Sequence, residues 1–427
     1  MNSLINWFST TLLLVFLSLS SFPQTYLTFS PYSRYGIGEI APQGFAHTRA
    51  MGGLSQGVRS GVGINYSNPA SYSAQDTLSF IFDFALEANG VNYQQGENSN
   101  LHNMGNIHHL AIQFPVTKWW GASLGFQPYS NVGYRLRYTQ MDPELLSSIG
   151  TIKHQHSGKG GITQLYLGNA IQPFKNLSVG ANISYLFGSV EHHTDIIFPA
   201  GTNYFDTYIL NNMIVRDLTY SVGAQYSIFL GSQRQVEVVL GSTLDAGAKI
   251  NSQFTNLSTV IIGNTIDTIS YTEDADGTFL LPPKYSAGLT LAYGDKFLGG
   301  VEFSTQDWTN TTFAHSPNVL TNSQTLRAGF EFTPNRLDLR SYLKRISYRA
   351  GIRYSDSYLK IGDRQITDAA ITLGLGLPLR RTRSSFNFSI EVGQRGTLLD
   401  NLVKETYGTF NIGITFYDFW FYKRQYN

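Results

Sequence analysis

Cysteine is absent from all 427 residues. That absence excludes disulfides, thiolate metal sites, cysteine nucleophiles and a lipid-anchored cysteine together. Charge is scarce as well: Asp, Glu, Lys and Arg make up 14% of the chain and nearly cancel, leaving a formal net charge of +1. Nothing in that balance calls for a nucleic-acid partner. Long apolar runs are missing too, since no stretch beyond the N-terminus approaches the roughly 18 uninterrupted apolar residues of a spanning helix. The chain also lacks a GxSxG elbow, a phosphate-binding loop and an HExxH helix, so neither an enzyme nor a bound cofactor is expected. The acidic "EDADGT" at 273–278 lacks the remaining ligands of a known calcium loop and reads as a solvated surface loop.

What is present is β-structure. Glycine (41), tyrosine (26) and phenylalanine (28) are abundant, and the N-terminus "MNSLINWFSTTLLLVFLSLSSFPQT" has a short apolar core at 12–19 followed by small residues. This fits a secretory signal cleaved between about residues 21 and 25, giving a signal peptide over 1–24. An exported chain without a helical span is either soluble or a barrel. From residue 78 onward the sequence alternates with period two. Phe410, Ile412, Ile414 and Phe416 fall on one face and Thr409, Asn411, Gly413 and Thr415 on the other, one suited to lipid and one to water. Turn signals divide the chain into fourteen strands, at 78–93, 106–116, 119–140, 160–173, 177–198, 214–231, 235–252, 283–294, 297–310, 322–333, 346–360, 367–378, 384–395 and 405–419. All exceed the five or six residues usual in a soluble sandwich, and the count is even, as bacterial barrels require.

The connections alternate between tight ("PVTK", "PFKN", "GSQR", "YGDK") and long (near Gln94, Glu144, Thr202, Asn264 and Asn318). That pattern places the tight rim in the periplasm and the long loops outside the cell. The expected fold is therefore an all-β, 14-stranded antiparallel transmembrane barrel over 78–427, in the outer membrane and in contact with its lipid. If the apolar face meets lipid, then Glu302, Arg327, Glu331, Arg349, Arg353 and Glu391 point into the lumen, either to pair across strands and hold a plug or to line a water-filled interior. The remaining lumen shows few apolar residues. Seven of the nine histidines, His102, His108, His109, His154, His156, His192 and His193, fall near the extracellular ends of strands two to five. His154 and His156 share a face at a spacing that can serve a metal, with His192 and His193 in the next strand, but a polar rim collects histidines without any ligand, and no metal site is expected.

Between the signal and the first strand lies a Gly-rich run, "MGGLSQGVRSGVGINYSNPASYS", with Gly61 and Gly63 leading to Asn68, Pro69 and Ala70. A small-residue run leading into "NPA" at this place resembles the FadL/TodX family of outer-membrane transport proteins and its Bacteroidota relatives, including PorV-like proteins. The "SPYSRYGIGEI" stretch at 30–40 and the tail residues Trp420, Phe421, Lys423 and Arg424 look like that Bacteroidota group. The resemblance implies that residues 25–77 fold back as a hatch inside the barrel, and that hydrophobic, fatty-acid-like molecules leave sideways through a gap at a kink in the third strand. That strand carries Pro128 between Gly125 and Gly133; proline cannot donate to a ladder and glycine marks bulges, so an interruption is expected there. The alternative is an accessory barrel that binds other proteins in an outer-membrane secretion or assembly complex.

Overall fold

The computed structural model describes residues 28–231, 235–263, 265–313, 319–380 and 382–420. The expected signal peptide and the tail from Phe421 onward, with Lys423 and Arg424, lie outside them.

A two-residue strand, β1 (Glu39–Ile40), precedes the wall. The wall runs β2 (Ser79–Gln95), β3 (Asn98–Thr117), β4 (Trp120–Thr139), β5 (Lys153–Phe174), β6 (Leu177–Ile197), β7 (Thr207–Leu230), β8 (Val236–Asp245), β9 (Ala248–Ile262), β10 (Thr265–Leu281), β11 (Lys284–Tyr293), β12 (Phe297–Asp307), β13 (Asn322–Phe332), β14 (Ser347–Ile361), β15 (Arg364–Pro378), β16 (Ser385–Arg395) and β17 (Lys404–Phe419). Each pairs antiparallel with its neighbour, and β17 closes on β2 from Ser79↔Phe419 to Gln94↔Lys404. The β9–β10 hairpin is an insertion: β8 pairs directly with β11, while β9 continues upward along the outer half of β7. Fourteen strands thus form a closed wall.

Alternation decides which side of each strand meets lipid. Phe410, Ile412 and Phe416 are exposed outward while Thr409, Asn411 and Thr415 are buried inward, and the same split holds for Ile390 and Val392 against Glu391. Aromatic residues gather at the tight rim, where Trp119 neighbours Trp120 and Phe80 stacks on Trp420 at 4.2 Å. They match an interfacial girdle.

Three expectations are corrected. The segments near Gln94 and Asn264 are not long loops; β2 and β3 extend to a turn at Gly96, and β9 and β10 extend to one at Gly263, both with positive φ. The acidic 273–278 stretch likewise sits in β10, exposed and broken by an irregularity at Thr272/Ala275 with Asp274 at φ 44°. Outside the bilayer both strand faces are wet, so "NSNLHNMG" and "DTISYTEDAD" carry no apolar alternation to betray them. The tight rim also holds one long connection, residues 333–346.

Candidate functional site

Residues 28–78 pass through the lumen. Asn68 caps a short 3₁₀ helix, Pro69–Ala74, its side chain accepting from the Ala70 N–H while proline occupies the first turn, where a missing N–H does no harm. The Asn68 amide also donates to the Gln56 carbonyl at 2.8 Å and the Ala224 carbonyl at 3.3 Å. Asn68 fits because β7 offers Gly223 opposite it: a Cβ there would strike the Asn68 side chain. Ala70 and Tyr72 are fully buried beside β5 and β6, with Tyr72 donating to Asn182 at 2.9 Å. Gly61 abuts the Asp76 carboxylate, and Gly63 abuts the His47 ring.

The luminal charges form an ion-pair system that reaches the segment. Arg327 meets Glu302 at 3.2 Å, and Glu302 also accepts from the backbone N–H groups of Ser55 at 2.8 Å and Gln56 at 2.9 Å. Arg349 meets Glu331 at 2.6 Å, and Arg353 meets Glu391 at 2.6 Å. Glu391 in turn faces Arg49 of the segment at 3.3 Å. Sequence reasoning missed the neighbouring members: Arg395 bridges Glu39 at 2.6 Å, Asp368 at 3.1 Å and Glu405 at 3.4 Å. Their inward parity in β15, β16 and β17 was the available signal. Buried pairs of this kind are costly to break singly, because the survivor is left as an unpaired charge.

The third spanning strand, β4, is continuous through Pro128, with a register shift against β5 between Pro128 and Ser130. Gly125 lies over the Tyr166 ring. What stops here is pairing on the other side. The β3–β4 ladder runs from Thr117↔Trp120 to Leu110↔Phe126, and among the described residues it goes no further, although β3 continues to Asn98 and β4 to Thr139. Leu110 and Phe126 are lipid-facing, so the break begins within the bilayer. The N-terminal segment takes the vacated edge of β4. β1 pairs Glu39↔Asn131 and Ile40↔Ser130, the Ala41 N–H donates to the Tyr129 carbonyl at 2.9 Å, and the Ser30 N–H donates to the Gly133 carbonyl at 2.7 Å. A Cβ on Gly133 would overlap the Thr28 carbonyl, so only glycine admits the segment this closely. On the far side of the break, Phe29 stacks on His102 of β3 with ring centroids 3.9 Å apart.

An apolar cluster leads to this break. Ile37 of the segment and Val132 and Tyr134 of β4 pack with Leu186, Met213, Trp308 and Phe313, all at most 5% exposed. This corrects the expectation of a lumen with few apolar residues: the cluster fills the extracellular half. Closer to the middle, a cavity of about 270 Å³ touches Pro128 and Tyr129 and has a mixed lining, with Gln164 and Asn182, charged groups such as Arg353 and Asp368, and Leu281 and Ile366 of the apolar cluster.

The histidines do not converge. His156 pairs with Thr194 at 2.9 Å, His192 with the Tyr134 hydroxyl at 2.7 Å and His193 with Glu191 at 3.4 Å, while His154 stacks on Tyr138 at 4.8 Å. Among the described residues no three His, Asp or Glu side chains could hold a metal. His108 and His109 are not at the rim but at a bulge inside β3, where His109 meets Asp83 at 2.8 Å and His108 meets His109 at 2.7 Å, because β3 starts at Asn98 and these residues lie deep in it. Within the segment, burial above all, then the Arg349 guanidinium, pushes His47 down to about 4.

The fold has close counterparts in solved structures. The Pseudomonas putida toluene transporter TodX aligns at TM-score 0.61 and 14% identity, covering 90% of this chain and 99% of that one. The Ralstonia pickettii toluene transporter TbuX aligns at TM-score 0.57 and 11% identity over 88% and 98%. A Pseudomonas aeruginosa FadL homologue aligns at 0.56 and 12% over 89% and 99%. No curated protein matches the sequence. The barrel thus shares the fold of these structures, and a family model described as BamG matches residues 5–427. The chain belongs to the BamG family.

Proposed function

We propose that this barrel passively admits hydrophobic small molecules, of fatty-acid-like character, across the outer membrane and releases them sideways into the bilayer, with residues 28–77 acting as its hatch. The observation that carries this reading is the break between β3 and β4 at Leu110 and Phe126, stopped by the N-terminal segment. An apolar solute entering from outside meets the cluster around Trp308 and Met213 and is led to Val132, Ile37 and the break. No chemistry is required: transfer of apolar surface out of water supplies about 25 cal/mol per Å². The cavity near Pro128 adjoins this path through Leu281, Tyr358 and Ile366. The toluene transporters TodX and TbuX share the fold and lend support.

The cysteine-free chain allows a direct test. Phe29→Cys and His102→Cys, joined by a short bifunctional thiol reagent, lock the segment across the break. Uptake of a radiolabelled long-chain fatty acid into cells should fall to the level of cells without the protein, and cleavage of the linker should restore it. Undiminished uptake with the linker in place would reject the lateral route.

A second reading, an accessory barrel in an outer-membrane assembly, is favoured by one observation. The β9–β10 hairpin stands outside the bilayer with Ile266 71%, Ile269 62% and Tyr271 54% exposed. Stoichiometric copurification of a protein that is lost on trimming the hairpin, together with wild-type uptake after trimming, would establish it as a separate role.

A further inference from the structure

Residues 333–346, between β13 and β14 on the periplasmic rim, form the long connection of the otherwise tight rim. The loop is built rather than loose. Its ends are held where the Thr333 and Ser347 hydroxyls meet at 2.7 Å and where the Asn335 N–H donates to the Lys344 carbonyl at 2.8 Å. Asp338 accepts from the backbone N–H groups of Arg340 at 2.8 Å and Ser341 at 2.7 Å. This ordered turn displays Leu337, Leu339 and Leu343 at 82%, 99% and 66% exposure. Loops without a partner are not normally arranged to hold three leucines in water.

Position and charge identify what covers them. Tyr348, an outward, lipid-side residue of β14, donates from its hydroxyl to the Leu343 carbonyl at 3.1 Å, and Tyr342 donates to the Pro378 carbonyl at the end of β15 at 3.2 Å. The loop is therefore fastened to the outside of the wall at the aromatic girdle. Around the leucines stand Arg336, Arg340, Lys344 and Arg345; Arg336 reaches Glu331 at 3.6 Å and Lys344 reaches Asp338 at 3.7 Å, which leaves Arg340 and Arg345 as the cationic surplus without an ion pair among the described residues. Leucine beside a cationic surplus, held at the level of the girdle, matches an anionic bilayer interface, where acyl chains take the leucines and headgroup phosphates take the cations. We propose that residues 333–346 are a membrane-seated anchor that binds anionic phospholipid of the periplasmic leaflet.

The absence of cysteine makes this testable in the full chain. Leu339→Cys, and separately Leu337→Cys, are labelled with nitrobenzoxadiazole, checked for heat-modifiable mobility as evidence of a folded barrel, and reconstituted into phosphatidylglycerol or phosphatidylcholine vesicles. The label should emit further to the blue and be quenched more by doxyl-labelled lipid in phosphatidylglycerol than in phosphatidylcholine. Adding Arg340→Glu and Lys344→Glu should abolish the difference between the two lipids. Water-like emission at both positions in both vesicles would overturn the proposal. So would a blue shift that requires a periplasmic protein fraction, which would make the loop a protein-docking site instead.

Discussion

His47 carries the clearest consequence at the scale of single residues. Neither ring nitrogen has a hydrogen-bond partner, and the ring lies among Asp83, Glu331, Arg349 and His109. Its titration falls from 6.5 in the free chain to about 4 in place, so the undocked segment binds the proton first as pH drops. Docking therefore weakens progressively between pH 6.5 and pH 4, by about 3 kcal/mol at most, and is unaffected above that window. Hydrogen exchange of residues 28–77 should rise across this window in the wild type, and His47→Leu should flatten the rise. An identical acid response in His47→Leu would assign it to another group. The luminal acids and bases illustrate what single residues reveal in advance. Glu302, Arg327 and Glu391 were legible because an isolated charge interrupts an apolar alternation. Arg49 and Glu39 were not, because one ends a single-turn helix and the other sits in a two-residue strand, both too short to show a period.

At the scale of elements, β4 decides how the wall is sealed. Its edge from Tyr129 to Gly133 has lost β3 and gained the segment, and Gly133 is the point of closest approach. Valine suits a strand, so Gly133→Val should leave β4 paired with β5 while its side chain drives Thr28 away. The expected outcome is a folded barrel whose 28–41 stretch becomes protease-sensitive and whose uptake of an apolar solute rises rather than falls. A variant with wild-type protease resistance would show that the segment is held by other contacts. The break itself was only half legible. Pro128 and its flanking glycines marked the strand, yet the strand stays whole; the missing element is its partner, and the loss of a ladder between two strands has no signature in either strand alone. The same limit hid the upper halves of β3, β9 and β10, where water on both faces removes the pattern that marks a strand within lipid.

For the whole molecule, closure of fourteen strands leaves a lumen wider than side chains can fill, since about eight strands already enclose a packed interior. The N-terminal segment, tied by Glu302, Glu391 and Arg395, occupies that space. Deleting residues 28–77 while retaining residues 1–27 should leave the β2–β17 seam intact, with unchanged heat-modifiable mobility, and give stepwise conductance in planar bilayers where the full chain gives none. A folded deletion variant that stays silent would place closure in the apolar cluster alone. The global architecture was the most legible level, because lipid on one side and water on the other impose one rule on every spanning strand.

The fit of Asn68 against Gly223 and of Thr28 against Gly133 has a bearing on modularity. A side chain at either wall position would evict the segment, and a bulkier segment would be refused by the wall. The two are cut as key and lock and are not exchangeable parts. A chimera that joins the first 78 residues of one such barrel to the strands of another keeps its stopper only if these bare wall positions travel with it.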